Sequence, residues 1–369
     1  MLTKPVAICV NRGGQSLDTA KMVADAVGWP VIGADPRDIL LVDAGNAIIG
    51  LGFQVVTSFT TAAASDPAVD PALDPSISGD CAGDPAFAVA STTEPTIASS
   101  FEFATGSIDD AAEKPARHLQ LSAATLTRNK RGDNGTQRLH WTDVNGNLFT
   151  FAQFDDAGLQ GKRGAYYRKL LERRGFELGK RTRFDNTLPL VGVTLLVSDL
   201  ERSRAWYEGK LGLKVIDADR DDVSLDAGNI ILRLRPESST GLVRRYRMTM
   251  ALRDQFSFYT PDIRAEAANL AKGGVIFPRG IEWSTSGGAL AKMPDPDGYG
   301  LWLWQPQPTY ITGMPIDYTS VVSRILHEQG LPLPEQGYSG PYRLEQVAQP
   351  TLSAPPPSGT PTTPPTTKG

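Results

Sequence analysis

The chain has 369 residues, of which 40% are hydrophobic and 21% are charged, and its formal net charge is −4. This length and balance are typical of a globular protein with two or three domains rather than of a disordered chain. The negative net charge argues against a general nucleic-acid-binding protein, whose binding domain is basic. The two cysteines and three histidines provide neither a disulfide framework nor a CxxC metal knuckle.

Segments typical of secretion or membrane insertion are missing from the sequence. The apolar run near the N-terminus is far shorter than the core of a signal peptide. No stretch approaches the ~20 consecutive apolar residues that a membrane helix needs. We therefore expect a cytoplasmic protein that binds neither a membrane nor nucleic acid.

The first 155 residues predict two β-α-β-β-β patterns around a low-complexity insertion. The insertion, at about 60–99, is rich in Ala, Asp, Pro, Ser and Thr, which is typical of a long loop or a disordered segment. The alternation and helical spacing before and after it predict strands at 6–10, 39–42, 47–53, 101–104, 137–142 and 148–154, and helices at 17–27 and 109–118.

The second half repeats the pattern more clearly, after a basic linker helix within 156–187. A module over 188–310 is predicted to contain helices at 200–211, with Asp199 as its N-cap, and at 263–272. Its strands are predicted at 191–197, 214–218, 223–225, 230–234, 255–259, 275–276, 289–293 and 301–304. An extension at 311–345 with a short amphipathic helix and a disordered Pro/Thr-rich tail at 346–369 complete the chain.

Two pairs of short motifs recur at matching places in the two halves. Residues 43–49 read Asp-Ala-Gly-Asn-Ala-Ile-Ile, and residues 226–232 read Asp-Ala-Gly-Asn-Ile-Ile-Leu. The second pair, at 143–149 and 295–301, is an Asp-x-x-Gly turn followed by an aromatic strand. Each Gly suits a tight turn because it adopts positive φ at little cost. The order of these motifs predicts one unit used four times.

Several motifs of the second module together resemble the vicinal-oxygen-chelate superfamily, the glyoxalase/bleomycin-resistance/dioxygenase fold. They are Gly-Val-Thr-Leu-Leu-Val-Ser-Asp-Leu at 192–200, Ala-Trp-Tyr at 205–207, Leu-Gly-Leu at 211–213, Phe-Ser-Phe-Tyr-Thr-Pro-Asp-Ile at 256–263, and Asp-Pro-Asp-Gly-Tyr at 295–299. The N-terminal region, about 5–154, is similar to a diverged copy. The resemblance implies an α+β fold of two tandem modules, in which paired βαβββ units form a curled mixed-sheet cup around a ligand.

The resemblance also implies four metal-ligand positions in each module, one on each inward strand and usually His, Glu or Gln. In the second module these fall on Gly192, Arg233, Gln255 and Trp302. Only Gln255 is a ligand type, and an Arg would repel a cation. The N-terminal equivalents are poor ligands too: Pro5, Gly50, Ser100 and Thr150. We therefore expect no metal and no other cofactor, and a divalent metal only if the strand register differs.

Two arginines and two tryptophans on predicted inward positions are the main candidates for ligand contact. Arg233 and Arg235 are interpreted either as clamps for an anion or as the ends of a solvated edge strand. Trp302 and Trp304 are interpreted either as an aromatic wall for a flat ligand or as the filling of a closed cup.

Further polar side chains complete the set of candidates. Gln255 and Tyr259 either orient a ligand by hydrogen bonds or line the cup as a pair whose own hydrogen bonds are already made within the protein. His140 has no partner acid in view and favours a structural role. Asp295 and Asp297 fit a structural turn better than an acid–base pair. No residue is therefore assigned a catalytic role.

These observations favour a metal-independent small-molecule-binding protein that holds an aromatic or anionic ligand in the cup of the second module. Such a protein needs only a complementary cup and a few polar anchors. Two alternatives stay open: an enzyme such as a lyase, isomerase or dioxygenase with an atypical site, and a non-catalytic interaction scaffold with filled cups. Four units in one chain suffice for a monomer with two cups, and a homodimer is the alternative.

Overall fold

A computed structural model describes most of the chain outside the predicted insertion and tail. The described ranges are 1–12, 17–35, 39–52, 99–119, 126–129, 136–142, 148–175, 188–236, 255–284, 288–308, 316–333 and 342–348. The predicted insertion, except its last residue, and the tail from 349 onward lie outside these ranges. Among the described residues, no helix is long and apolar enough to cross a membrane.

Four βαβββ units follow one another along the chain, which confirms the predicted α+β fold class. The first unit contains β1 (Ala7–Arg12), α1 (Leu17–Val27), β2 (Val31–Asp35), β3 (Ile39–Ala44) and β4 (Ala47–Gly52). The second contains β5 (Ser99–Ala104), α2 (Ile108–Leu119), β6 (Leu126–Asn129), β7 (Thr136–Thr142) and β8 (Leu148–Phe154). Helix α3 (Gly161–Glu172) then leads to the third unit.

The third and fourth units have the same order of elements. The third contains β9 (Leu190–Val197), α4 (Leu200–Arg204) continued by a π-helical segment (Ala205–Leu211), β10 (Lys214–Ala218), β11 (Val223–Asp226) and β12 (Ile231–Pro236). The fourth contains β13 (Gln255–Tyr259), α5 (Ile263–Lys272), β14 (Ile281–Ser284), β15 (Gly288–Pro294) and β16 (Gly300–Gln305). Helix α6 (Ile316–Glu328) and strand β17 (Arg343–Glu345) follow.

The units pair in an order that the sequence analysis did not predict. The first and fourth units form a nine-stranded sheet with the order β17-β14-β15-β16-β13-β1-β4-β3-β2. The second and third form an eight-stranded sheet with the order β10-β11-β12-β9-β5-β8-β7-β6. The expectation that consecutive units share a cup is therefore wrong, because β1 pairs with β13 and β5 pairs with β9.

The main hydrophobic core lies between the two sheets and contains their helices. Strand alternation sends Phe101, Phe103, Leu232 and Leu234 into this core, together with apolar residues of β1, β13 and β16. Helices α1 and α2 contact each other there, although they belong to different sheets. Helices α4 and α5 each begin at an Asp, Asp199 and Asp262, whose carboxylate accepts a backbone N–H of the first turn.

The opposite face of each sheet is covered by a helix that follows a complete unit. Helix α3 packs through Tyr167, Leu170 and Leu171 on the eight-stranded sheet, and we name that side the α3 face. Helix α6 packs on the nine-stranded sheet, on the side we name the α6 face, through Tyr318, Val321, Val322, Ile325 and Leu326. Both faces of each sheet are thus largely buried.

The repeated Asp-Ala-Gly-Asn turn is the point where each covering helix is attached. Asp43 and Asp226 each accept the backbone N–H of the turn glycine, Gly45 and Gly228, at 2.8 and 2.7 Å. Both glycines have positive φ. In the first turn Arg324 of α6 donates to Asp43, and in the second Tyr166 of α3 donates to Asp226. The repeated motif is therefore a structural attachment site.

Candidate functional site

Charged side chains on the α3 face form the clearest polar cluster of the described structure. Their neighbours along the strands point into the central core, so alternation leaves the charged residues under helix α3. Strands β5, β7 and β12 supply most of them, the residue just before β11 supplies one, and α3 supplies one more. We name this set the arginine cluster; it consists of Glu102, Arg138, Arg163, Asp222, Arg233 and Arg235.

Glu102 lies at the centre of the arginine cluster and is buried. Arg138 donates from Nε to its Oε1 at 3.0 Å, and Arg233 Nη1 lies 3.9 Å from its Oε2. The hydroxyl of Tyr167 in helix α3 donates a hydrogen bond to Glu102 Oε2 at 2.6 Å. The side chain of Glu102 therefore connects strands β7 and β12 and helix α3.

These contacts keep the carboxyl of Glu102 ionised. Burial by itself raises its pKa, but the charges of Arg138 and Arg233 and the hydrogen bonds from Tyr167 and Arg138 outweigh burial and lower the pKa to about 2. Burial and the nearby Glu102 charge raise the pKa of the Tyr167 hydroxyl, so that it stays protonated and donates. Glu102 is consequently a weak base and a strong hydrogen-bond acceptor.

Asp222 forms the second anchor of the arginine cluster, at the end nearest strands β10 and β11. Arg233 donates to Asp222 Oδ2, and Arg163 Nη2 lies 3.2 Å from Oδ1. Arg235 Nε lies 3.8 Å from Oδ2, which is too far for a hydrogen bond. Arg163 also approaches Asp217 at 3.8 Å. Three guanidinium groups therefore share one buried carboxylate.

His140 and Thr150 extend the polar surface beyond Glu102. The strand register places Glu102 opposite Thr150 and Thr150 opposite His140. His140 Nδ1 and Thr150 Oγ1 are 3.0 Å apart. Burial and the positive charge of Arg138 lower the pKa of His140, while Glu102 raises it, and the net shift is downward. The imidazole is therefore largely neutral near pH 7.

This arrangement does not fit a divalent metal. The metal-ligand positions that the resemblance implies on β9, β12 and β8 hold Gly192, Arg233 and Thr150, and the strand register places Glu102 of β5 opposite Gly192 and Thr150, so the group contains one carboxylate and a guanidinium beside it. A cation bound to Glu102 would lie close to Arg233, and hard divalent ions need several oxygen or nitrogen donors. Within the described ranges no three His, Cys, Asp or Glu side chains form a group that could hold a metal.

The six predicted ligand-contacting residues do not come together in one cup. Arg233 and Arg235 lie on β12 of the eight-stranded sheet, whereas β13 and β16 belong to the nine-stranded sheet. The prediction of a single cup is wrong because the third and fourth units pair with different partners. Gln255 lies on β13 with its side chain outside the described part of the structure.

The aromatic candidates on the nine-stranded sheet are packed rather than open. Trp304 and Tyr259 pack against helix α6. The Tyr259 hydroxyl donates to the backbone carbonyl of Pro332. Trp302 is also buried, and the ammonium group of Lys292 lies 5.2 Å from the centre of its ring. Whether Trp302 contacts a ligand stays a prediction.

Sequence reasoning missed the residues that anchor the site. The metal-ligand position that the resemblance implies on this strand was assigned to Ser100, two residues before Glu102. The low-complexity insertion ends at this strand, so the sequence did not define its register. Asp222 precedes the predicted strand at 223–225, so its pairing with Arg233 was not visible. Two sequence signals pointed to this face: the predicted inward positions of Arg233 and Arg235, and the alternation of Arg138 with His140 on one strand.

Part of the chain matches a known family model. Residues 190–303 match the Glyoxalase/Bleomycin resistance protein/Dioxygenase superfamily. This segment contains the third and fourth units, and it therefore supplies one unit to each sheet. A comparison with the curated proteins finds no match.

Solved structures add similar chains at low identity. Glyoxalase I from Zea mays is 16% identical over 88% of this chain and 96% of that chain, with a TM-score of 0.48. A putative dioxygenase from Bacillus subtilis is 11% identical over 91% and 99%, with a TM-score of 0.46. Lactoylglutathione lyase from Agrobacterium tumefaciens is 18% identical over 31% and 90%, with a TM-score of 0.25. Likeness at this level carries no information about activity. Through residues 190–303, the third and fourth units are similar to the Glyoxalase/Bleomycin resistance protein/Dioxygenase superfamily.

Proposed function

We propose that the protein binds a small anionic molecule on the α3 face and does so without a metal. The observation that carries the proposal is the excess of guanidinium groups over carboxylates in the ion pairs of the arginine cluster. Among the described residues, these ion pairs join four guanidinium groups, of Arg138, Arg163, Arg233 and Arg235, to three carboxylates, of Glu102, Asp217 and Asp222. Guanidinium groups in such a partly buried setting are the usual partners of carboxylate and phosphate ligands.

The chemistry of the face supports binding rather than catalysis. The carboxyl of Glu102 has a pKa of about 2, which makes it a poor general base near neutral pH. The tyrosine hydroxyl beside it is held protonated by burial and by the Glu102 charge. A metal-dependent reaction of the kind found in the superfamily would need a donor set that this face does not supply. The enzyme alternative therefore has less support than the binding function.

The scaffold alternative is favoured by one observation on the other sheet. Helix α6 buries Tyr259 and Trp304, two residues predicted to line a cup, in a continuous apolar cluster. That face would need helix α6 to move before a ligand could enter. We therefore restrict the proposed ligand site to the α3 face and assign the α6 face a structural role. Each sheet is completed within one chain, so a monomer is sufficient for this function.

A panel of small molecules tests the proposal. Thermal shift and calorimetry would compare anionic with neutral compounds on the full chain and on a variant carrying Arg163→Gln and Arg235→Gln. We expect anions to stabilise the natural chain and to lose most of this effect in the variant. The matched control carries Arg202→Gln and Arg204→Gln, two arginines that lie outside the face. Equal binding by both variants, or no binding by any anion, would contradict the proposal.

A further inference from the structure

The Asp222 end of the arginine cluster contains two hydrogen-bond donors with no acceptor among the described residues. The Nε atoms of Arg163 and Arg235 are both buried and both lack such a partner. Arg163 reaches this point from helix α3, and Arg235 reaches it from strand β12. Buried donors are almost always paired in native proteins, so two unpaired donors beside one carboxylate call for an explanation.

The two arginines at this end of the cluster are more exposed than the residues that anchor it. The side chain of Arg235 is 37% exposed and that of Arg163 is 22% exposed, whereas those of Arg233 and Asp222 are 13% and 8% exposed. A small molecule approaching along Arg235 thus meets two guanidinium groups before it meets the buried anchors.

Charge and geometry limit the kind of molecule that fits. At the Asp222 end, the ion pairs among the described residues join three guanidinium groups, of Arg163, Arg233 and Arg235, to two carboxylates, of Asp217 and Asp222, which leaves one excess positive charge among these groups. A monoanion neutralises this excess charge. A phosphomonoester carries about −1.5 to −2 charges near pH 7 and would leave the site negative. Two N–H donors from separate arginines match the two oxygens of one carboxylate.

We propose that this end of the face binds the carboxylate of a small organic acid, with Arg163 and Arg235 as its donors; this proposal rests on the proposed function above. Asp222 pairs with the guanidinium groups of Arg163 and Arg233 and holds them in place. Arg235 is the specificity-determining residue, because it contributes an exposed guanidinium to the ligand and no hydrogen bond to Asp222.

Calorimetric titration of the full chain at pH 7.5 tests this proposal with matched pairs of probes. The pairs are benzoate with benzamide, and acetate with acetamide, so that charge is varied at nearly constant shape. We expect at least one carboxylate to bind at least tenfold more tightly than its amide. Arg235→Gln should weaken carboxylate binding at least tenfold, and Arg235→Lys should restore part of it.

Arg202→Gln is the matched control for the loss of an exposed arginine. Arg202 is 51% exposed and also pairs with a buried carboxylate, that of Asp297, but lies outside the arginine cluster. Its substitution should leave carboxylate binding unchanged. Melting temperatures of all variants confirm that they are folded.

The outcomes separate this proposal from the proposed function. If phenylphosphonate binds more tightly than benzoate and depends on Arg235 in the same way, the carboxylate assignment is overturned while anion binding stands. If the amides bind as well as the acids, charge recognition at this end is overturned. If the carboxylates do not bind but other anions of the panel do, the carboxylate assignment is wrong and the proposed anion-binding function stands. If no anion binds, both the carboxylate assignment and the proposed function are wrong.

Discussion

At the scale of single residues, Glu102 determines the character of the α3 face. A buried carboxylate costs free energy unless it is paired, and Glu102 is paired with Arg138, Arg233 and the Tyr167 hydroxyl. The same residue lies opposite Gly192 and Thr150, two positions at which the resemblance implies metal ligands. The guanidinium groups beside Glu102 therefore make this position a poor fit for a cation.

The lowered pKa of Glu102 predicts a stability change in acid. Its folded pKa is about 2 and its ordinary value is 4.5, so the folded state gains stability that is fully present above pH 4.5 and is lost as the pH falls toward 2. A shift of this size corresponds to about 3 kcal/mol. Urea unfolding at several pH values should show that Glu102→Gln loses this acid-dependent part of the stability. A Glu102→Gln chain with the natural slope between pH 5 and pH 3 would contradict the assignment.

At the scale of elements, helices α3 and α6 play equivalent roles on the two sheets. Each follows a complete unit, covers the face opposite the central core and attaches to an Asp-Ala-Gly-Asn turn. Arg174, just after α3, donates to both carboxylate oxygens of Glu328 in α6 at 2.9 and 2.7 Å. The two covering helices are therefore connected to each other as well as to the sheets.

The attachment of α6 predicts the effect of removing one arginine. Arg324 donates to Asp43 at 2.9 and 3.2 Å and to the Gly45 carbonyl at 2.7 Å. Arg324→Met leaves the buried Asp43 carboxylate without this partner, and we expect a loss of about 1–3 kcal/mol in the free energy of unfolding. Hydrogen exchange should show faster opening of α6, whereas α3 keeps its protection. Arg343→Met, on an exposed strand, is the control; equal effects of the two substitutions would contradict the prediction.

At the scale of the whole molecule, the units pair as first with fourth and second with third. Antiparallel contacts between β1 and β13 and between β5 and β9 join residues far apart in the chain. Local sequence patterns specify strands and helices but not which edges meet, since edge pairing depends on complementarity across such distances. The sequence motifs alone therefore could not distinguish consecutive from crossed pairing.

Local elements were more predictable than their assembly. Helix α1 occupies the predicted residues 17–27, because its apolar spacing is regular. Strand β2 was missed because it follows Pro30 and contains Gly33, and β6 was missed because Arg128 and Asn129 interrupt its apolar pattern. At the site, the alternation on β12 places Leu232 and Leu234 in the central core and Arg233 and Arg235 on the opposite face, whereas contact of the two arginines with a ligand stays a prediction. Glu102 and Asp222 were not predicted as site residues, since their roles depend on a register fixed by distant strands.

The crossed pairing predicts the behaviour of an isolated second half. A fragment of residues 188–308 leaves β9 without β5 and β13 without β1, which exposes two long unpaired strand edges. We expect this fragment to associate or to remain unfolded rather than form a stable monomer. Light scattering with chromatography and circular dichroism measure this. A monomeric fragment with native-like cooperative unfolding would contradict the pairing.

The most direct test of the central claim is a native mass measurement on the full chain purified from its own host without chelators, together with elemental analysis. We predict less than one divalent metal per chain and, in the natural chain but not in Arg235→Gln, an added mass equal to a small organic acid. One tightly held divalent metal per chain that disappears in Glu102→Gln would contradict the account and assign the α3 face to metal chemistry.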